Sequence, residues 1–148
     1  MTAGGDVYNF GNYAIVSAEL AEVFYCLKKL AEIFEFSEDE DAASLVEKQM
    51  SVSGYASRMK SSVSEFLKRV YRTDLDRAAK DSFAGKIGDI LNEMKRKTFY
   101  FREIALQLPA DKIKANLRDA ALLADGLPDM VAALDAGEDE IKLRGNNG

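Results

Sequence analysis

Histidine is absent from this chain of 148 residues. Catalytic triads, most zinc centres and many general acid–base pairs depend on an imidazole ring, so these kinds of active site are excluded. Any catalysis would have to use carboxylate, lysine, tyrosine or serine side chains. The missing residue type therefore favours a protein that is not an enzyme, and we expect no cofactor.

Cysteine and proline are both scarce. The single cysteine, Cys26, has no intramolecular disulfide partner and stands between Tyr25 and Leu27. We therefore predict a small buried hydrophobic side chain and not a reactive thiol. There are only 2 prolines. Because proline is the strongest helix breaker, long helices are permitted over nearly the whole chain.

Long hydrophobic runs and an export signal are also lacking. No stretch approaches the roughly 18 consecutive apolar residues of a membrane span, and no basic segment followed by an apolar run opens the chain. These absences predict a cytoplasmic protein that does not enter a membrane. The net charge of −5 disfavours nucleic acid as a partner, because an acidic protein repels phosphate backbones.

Apolar residues recur at alternating spacings of three and four over three long segments, as in helices that pack like a coiled coil. This spacing predicts helices over 12–36, 38–72 and 75–108, with Asn12 and Ser37 as N-caps. Since the connections between the segments are short, we expect an elongated up-down-up antiparallel three-helix bundle.

Two shorter helices are predicted to follow the bundle, over 110–125 and 128–136. We expect irregular or flexible backbone over 1–11 and 137–148. With 47% hydrophobic residues, the chain can bury one core of ordinary size. The predicted fold is therefore a single all-α domain over residues 1–148.

Two pairs of acidic residues carry the one enzymatic hypothesis. Glu19 and Glu22 stand three residues apart on the first helix, and Glu38 and Asp41 repeat that spacing at the second. Carboxylate oxygens suit Mg²⁺, which in turn binds phosphate groups. The order ExxE and then ExxD resembles the all-α nucleotide pyrophosphohydrolases, and the resemblance implies that these four residues bind magnesium. Alternatively, they are solvated faces and an acidic helix start.

Basic residues cluster on the third helix with aromatic residues between them: Lys95, Arg96, Phe99, Tyr100 and Arg102. Such an arrangement can bind an acidic protein surface or nucleic acid. It can also be an ordinary charged helix face, offset by neighbouring glutamates.

The favoured function is a non-enzymatic protein–protein interaction module of the accessory, adaptor or toxin-neutralising type. Its helical face would bind a protein partner of unidentified kind or a second copy of the chain, as a homodimer, and the basic and aromatic cluster supplies the candidate contact residues. Two alternatives remain, namely the magnesium-dependent nucleotide hydrolase and weak nucleic-acid binding through the basic face.

Overall fold

The computed structural model describes the backbone of residues 7–70, 74–98 and 102–147, and the side chains of 7–70, 85–98 and 103–137. The predicted all-α fold is confirmed, with a small two-stranded hairpin added at its start. The elements are β1 (Tyr8–Phe10), β2 (Tyr13–Ile15), α1 (Ala18–Phe34), α2 (Ala42–Val70), α3 (Asp74–Thr98), α4 (Arg102–Ala105), α5 (Ala110–Ala124) and α6 (Leu127–Asn147).

The hairpin corrects the predicted beginning of the first helix. Strands β1 and β2 pair antiparallel around Gly11, whose φ of 59° lies in the left-handed region that glycine tolerates. Asn12 is therefore not an N-cap, because α1 begins only at Ala18. The start of the chain is also not irregular throughout, since β1 lies within it. Ile15 is fully buried beside exposed Ala14, the alternation expected of a strand.

The second helix begins four residues later than predicted. Asp41 and not Ser37 is its cap, because the Asp41 carboxylate accepts the backbone N–H of Ser44 at 2.8 Å. Ser37 instead lies in a turn, where its carbonyl accepts the backbone N–H of Glu40. The acidic segment 38–41, which was predicted to begin the helix, thus ends at the N-cap residue, Asp41.

The predicted third helix is described in two parts, and the predicted fifth helix is longer than expected. Helix is described over Asp74–Thr98 (α3) and again over Arg102–Ala105 (α4), within the predicted range of 75–108 except for Asp74, and residues 99–101 between them lie outside the described backbone. Helix α5 matches its prediction within one residue, whereas α6 continues to Asn147 instead of ending at 136. The polar end was predicted to be irregular, yet each of the two glycines of α6, Gly137 and Gly145, costs a helix only about 1 kcal/mol.

Helix α2 lies at the centre of the fold, with α1 and α3 packed against it. Helix α5 contacts all three of these helices, and α6 contacts α1 and α3, so the two C-terminal helices are integral to the core. Among the described residues, Leu27, Phe34 and Ile90 of the predicted apolar seams are only partly buried. Most of the others are buried as expected, including Leu20, Leu30, Leu45, Met59, Phe66, Ile87 and Met94. Within the described residues, no helix combines the length and apolarity that crossing a membrane requires.

Candidate functional site

The first predicted pair of magnesium ligands is engaged by arginines of α2. Glu19 accepts two N–H groups of Arg69, at 2.8 Å from Nε to Oε1 and 3.0 Å from Nη2 to Oε2. One turn further along α1, Glu22 forms an ion pair with Arg58. Both carboxylates therefore bridge α1 to α2, and each faces a guanidinium group.

The second predicted pair lies elsewhere and is also engaged. Glu38 forms an ion pair with Arg118 of α5 at 2.9 Å, and its backbone carbonyl accepts the ammonium group of Lys114 at 2.7 Å. Asp41 caps α2. Among the residues with described side chains, no group of three or more acidic or cysteine residues could hold a metal ion. The fold therefore uses these carboxylates to join helices.

The predicted basic and aromatic cluster is described only in part. Phe99 and Tyr100 lie outside the described residues, and Arg102 is described only as backbone at the start of α4. Arg96 pairs with Glu93 on the same helix, from Nε to Oε2 at 2.9 Å, and this contact lowers the pKa of Glu93. Lys95 instead lines a groove towards α2.

That groove, which we call the lysine groove, runs between α2 and α3 and encloses about 400 Å³. The ammonium group of Lys60 donates to Oδ1 of Asn92 at 2.8 Å, which links the two helices at the groove. The serine-rich middle of α2 was visible in the sequence, but its opposition to Lys95 was not. The described side chains that line the groove are three lysines, three serines and one glutamate: Lys60, Lys68, Lys95, Ser57, Ser61, Ser64 and Glu65.

A second cavity, of about 430 Å³, lies beside the hairpin and is mainly apolar. The rings of Phe10 and Phe24 stack with centroids 5.3 Å apart, and Tyr13 lies 5.1 Å from Phe24. The Tyr13 hydroxyl donates to Asp129 at 2.7 Å, and this hydrogen bond raises the pKa of Tyr13. Sequence reasoning missed this pocket because it placed residues 13–15 in a helix.

A third feature is a pair of exposed aliphatic side chains on the connection between α3 and α5. Ile104 in α4 and Leu106 just after it are 49% and 50% exposed, and they flank fully buried Ala105. We call Ile104 and Leu106 the α4 pair. Helix α4 packs against α2, so the connection is held to the core while the α4 pair faces outward.

Cys26 is fully buried, as predicted, and burial raises the pKa of its thiol to about 11. A thiol with that pKa is almost entirely protonated at neutral pH and is a poor nucleophile. Cys26 is therefore part of the core.

No family model, curated protein or solved structure matches this chain. Its function is therefore inferred from its own surfaces and cavities.

Proposed function

We propose that this protein is a non-enzymatic interaction module, of the accessory, adaptor or toxin-neutralising type, that binds a protein partner through the α4 pair. The observation that carries the proposal is the outward position of Ile104 and Leu106 on a connection anchored by buried Ala105. An anchored connection presents its side chains in a fixed geometry, which lowers the ordering cost of binding.

The physical gain comes from removing two aliphatic side chains from water. Burying an aliphatic side chain of this size contributes about 1.5–3 kcal/mol when it is fully desolvated. About half of the surface of each member of the α4 pair is already buried within this chain. A partner would therefore bury only the exposed half and gain the corresponding part of that free energy. Single exposed aliphatic residues are common on protein surfaces, whereas two on one short anchored connection form a more specific contact.

The neighbouring charges indicate what kind of partner fits. Lys95 and Arg96 lie in the last turn of α3, which precedes the α4 pair in sequence. A partner with an apolar depression and an acidic rim would complement these residues, because rim charges mainly set the association rate and the choice of partner. A second copy of this acidic chain is the other occupant that we consider.

The test compares the double variant Ile104→Glu/Leu106→Glu with Leu122→Glu. Leu122 is 71% exposed on α5, so its replacement controls for the loss of an exposed aliphatic side chain. Light scattering reports self-association, and affinity capture from the native cell with quantified stoichiometry reports a partner. We expect the amount of one stoichiometric captured partner, or of the homodimer, to fall at least tenfold in the double variant and to stay unchanged in Leu122→Glu.

Equal binding by the double variant and by Leu122→Glu would contradict the α4 pair as the contact surface. A monomer that captures nothing in stoichiometric amount would contradict the interaction function as a whole. Thermal unfolding of each variant checks that the fold is intact, since exposed substitutions usually change stability by less than about 0.5 kcal/mol.

The magnesium-dependent hydrolase has its own decisive assay, which is pyrophosphate release from a panel of nucleotides with Mg²⁺. We expect no release, because Glu19 and Glu22 are already paired with Arg69 and Arg58. Release that is abolished by both Glu19→Ala and Glu22→Ala would overturn the proposal of a non-enzymatic protein.

A further inference from the structure

We propose that the lysine groove between α2 and α3 binds a small polyanion that carries several phosphate groups in a row. This inference does not rest on the proposed protein-binding function, because neither Ile104 nor Leu106 lines the groove. It depends on the charge, the hydroxyl groups and the length of the groove.

The groove is a local excess of positive charge on an acidic protein. Among the residues whose side chains are described, its three lysines and one glutamate give a net charge of +2, whereas the whole chain carries −5. Glu65 lies 3.5 Å from Lys68 and offsets only that end. Clefts lined by one sign of charge attract ligands of the opposite sign and raise their local concentration.

Two of the groove lysines differ from the arginines whose side chains are described on these helices. Arg58, Arg69 and Arg96 each form an ion pair with a carboxylate. Lys60 instead donates to the neutral amide of Asn92, and within the described residues Lys95 has no ion-pair or hydrogen-bond partner. The charges of Lys60 and Lys95 are therefore available to a ligand.

The spacing of the lining residues indicates an elongated ligand. Lys60 and Lys68 are eight residues apart on α2, which is about 12 Å along the helix axis at 1.5 Å per residue. The Lys60–Asn92 bond places α3 beside α2 at one end, near Lys95. The ammonium groups therefore lie towards both ends of the groove.

Serine hydroxyls occupy the space between the lysines. Ser57, Ser61 and Ser64 follow spacings of four and three, so they share one face of α2 and line the groove. Hydroxyl groups donate hydrogen bonds to phosphate oxygens, and lysine ammonium groups bind phosphate as point charges. A row of phosphate groups satisfies both sets of donors at once, whereas a single carboxylate would reach only one end.

The size of the groove favours a small molecule over a nucleic-acid strand. A volume of about 400 Å³ lies within the range of ordinary small-ligand pockets, roughly 300–1,000 Å³. The flanking surface of an acidic chain would repel a longer phosphate backbone beyond the groove. The ligand class is thus a linear oligophosphate, either free or as the phosphate end of a nucleotide.

The test is calorimetric titration of the full chain with inorganic tripolyphosphate at low ionic strength, for wild type, Lys60→Gln, Lys95→Gln and Lys112→Gln. Lys112 is an exposed lysine on α5 that does not line the groove, so its variant makes the same change in net charge. We expect each groove variant to weaken binding about tenfold, the usual effect of losing one charge-assisted hydrogen bond. Lys112→Gln should bind like wild type.

A further titration, with a nucleoside triphosphate, distinguishes the sources of the phosphate groups. A nucleoside triphosphate that binds no tighter than tripolyphosphate would identify the phosphates alone as the recognised part, and tighter binding would assign a nucleotide to the same groove. Both results support the proposal, provided that Lys60→Gln and Lys95→Gln weaken them.

Three results would overturn it. The first is no binding of tripolyphosphate at millimolar concentration. The second is a loss of affinity in Lys112→Gln as large as that in the two groove variants. This would show that tripolyphosphate is attracted to the surface charge in general and not to a site in the groove. The third is a single-stranded oligonucleotide that binds more tightly than tripolyphosphate and depends on Lys60 and Lys95, which would make the groove a nucleic-acid interface.

Discussion

The buried carboxylate of Asp135 accepts the backbone N–H groups of Val16 and Ser17, at 3.0 Å and 2.9 Å. Ser17 is the N-cap residue of α1, yet its side chain makes no capping hydrogen bond. A carboxylate on α6 therefore binds the two residues that immediately precede α1, more than 100 residues earlier in the chain. Its negative charge also lies at the positive end of the α1 dipole.

Asp135→Ala should lower the free energy of unfolding by about 1–3 kcal/mol, because it leaves one buried and one partly buried backbone donor without an acceptor. Asp135 is only 4% exposed, so water replaces the lost contact poorly. Urea denaturation measures the change, and Asp125→Ala, at an exposed position on the α5–α6 connection, is the control. Equal midpoints for the two variants would show that the hydrogen bonds to Asp135 contribute nothing to stability.

Gln49 and Asn116 form a buried amide pair between α2 and α5, from Asn116 Nδ2 to Gln49 Oε1 at 3.2 Å. The Gln49 Nε2 group has no acceptor among the described residues. We therefore expect Gln49→Leu alone to lower stability by about 1–3 kcal/mol, because it strands the Asn116 amide.

The double variant Gln49→Leu/Asn116→Leu should recover most or all of that loss, since it removes both polar partners together. Denaturant unfolding of the four proteins in the cycle measures the coupling, which we expect to be about 0.5–3 kcal/mol. Strictly additive losses would mean that the two amides act independently.

Cys26 should make the protein less stable as the pH rises above neutrality. Burial raises the pKa of its thiol to about 11, whereas the unfolded chain releases that proton near its usual pKa of about 8.5. Above pH 8.5 the unfolded state therefore binds fewer protons than the folded state, and stability falls until about pH 11.

The measurement for Cys26 is the urea midpoint of wild type and Cys26→Ala at pH 7 and at pH 10. The wild type should lose more stability between these values than the variant does, because both share every other titrating group. A disulfide-exchange reagent should also react with Cys26 only as fast as the protein opens. Rapid reaction of the folded protein at pH 7 would contradict the assigned pKa.

Two glycines should respond to alanine in opposite directions. Gly54 lies inside α2, and a Cβ atom there would meet nothing within 4 Å, so Gly54→Ala should stabilise by about 0.5–1 kcal/mol. Gly11 has equal space but a φ of 59°, and Gly11→Ala should cost about 1 kcal/mol or more. Thermal unfolding of both variants checks the contrast, and the same sign for both would refute it.

The helices were predictable because apolar residues repeat with a helical period wherever α2, α3 and α5 bury one face. The start of α1 was not, because the three residues of β2 also fit the apolar period of the following helix. Short apolar segments cannot be assigned to strand or helix from periodicity alone. The choice between Ser37 and Asp41 as cap was similarly open, since both residue types suit the position.

The candidate sites depend on partners that are far apart in sequence. Glu19 and Glu22 have the spacing of metal ligands, but Arg69 and Arg58 approach them only after α1 and α2 pack. Lys95 was selected as part of a helix face, whereas its position in the groove depends on Lys60, 35 residues away. The spacing of residues within one helix does not indicate which residues of another helix will contact them.

By itself, the sequence determined the helical content, the apolar seams, the buried cysteine and the lack of imidazole chemistry, because each follows from residue type or local spacing. Only the tertiary structure decided that α5 and α6 join the core, that Asp135 binds the two residues before α1 and that Lys60 and Lys95 share a groove. Such contacts form between distant segments. Their free energies depend on burial and on desolvated partners, and neither exists until the chain has packed.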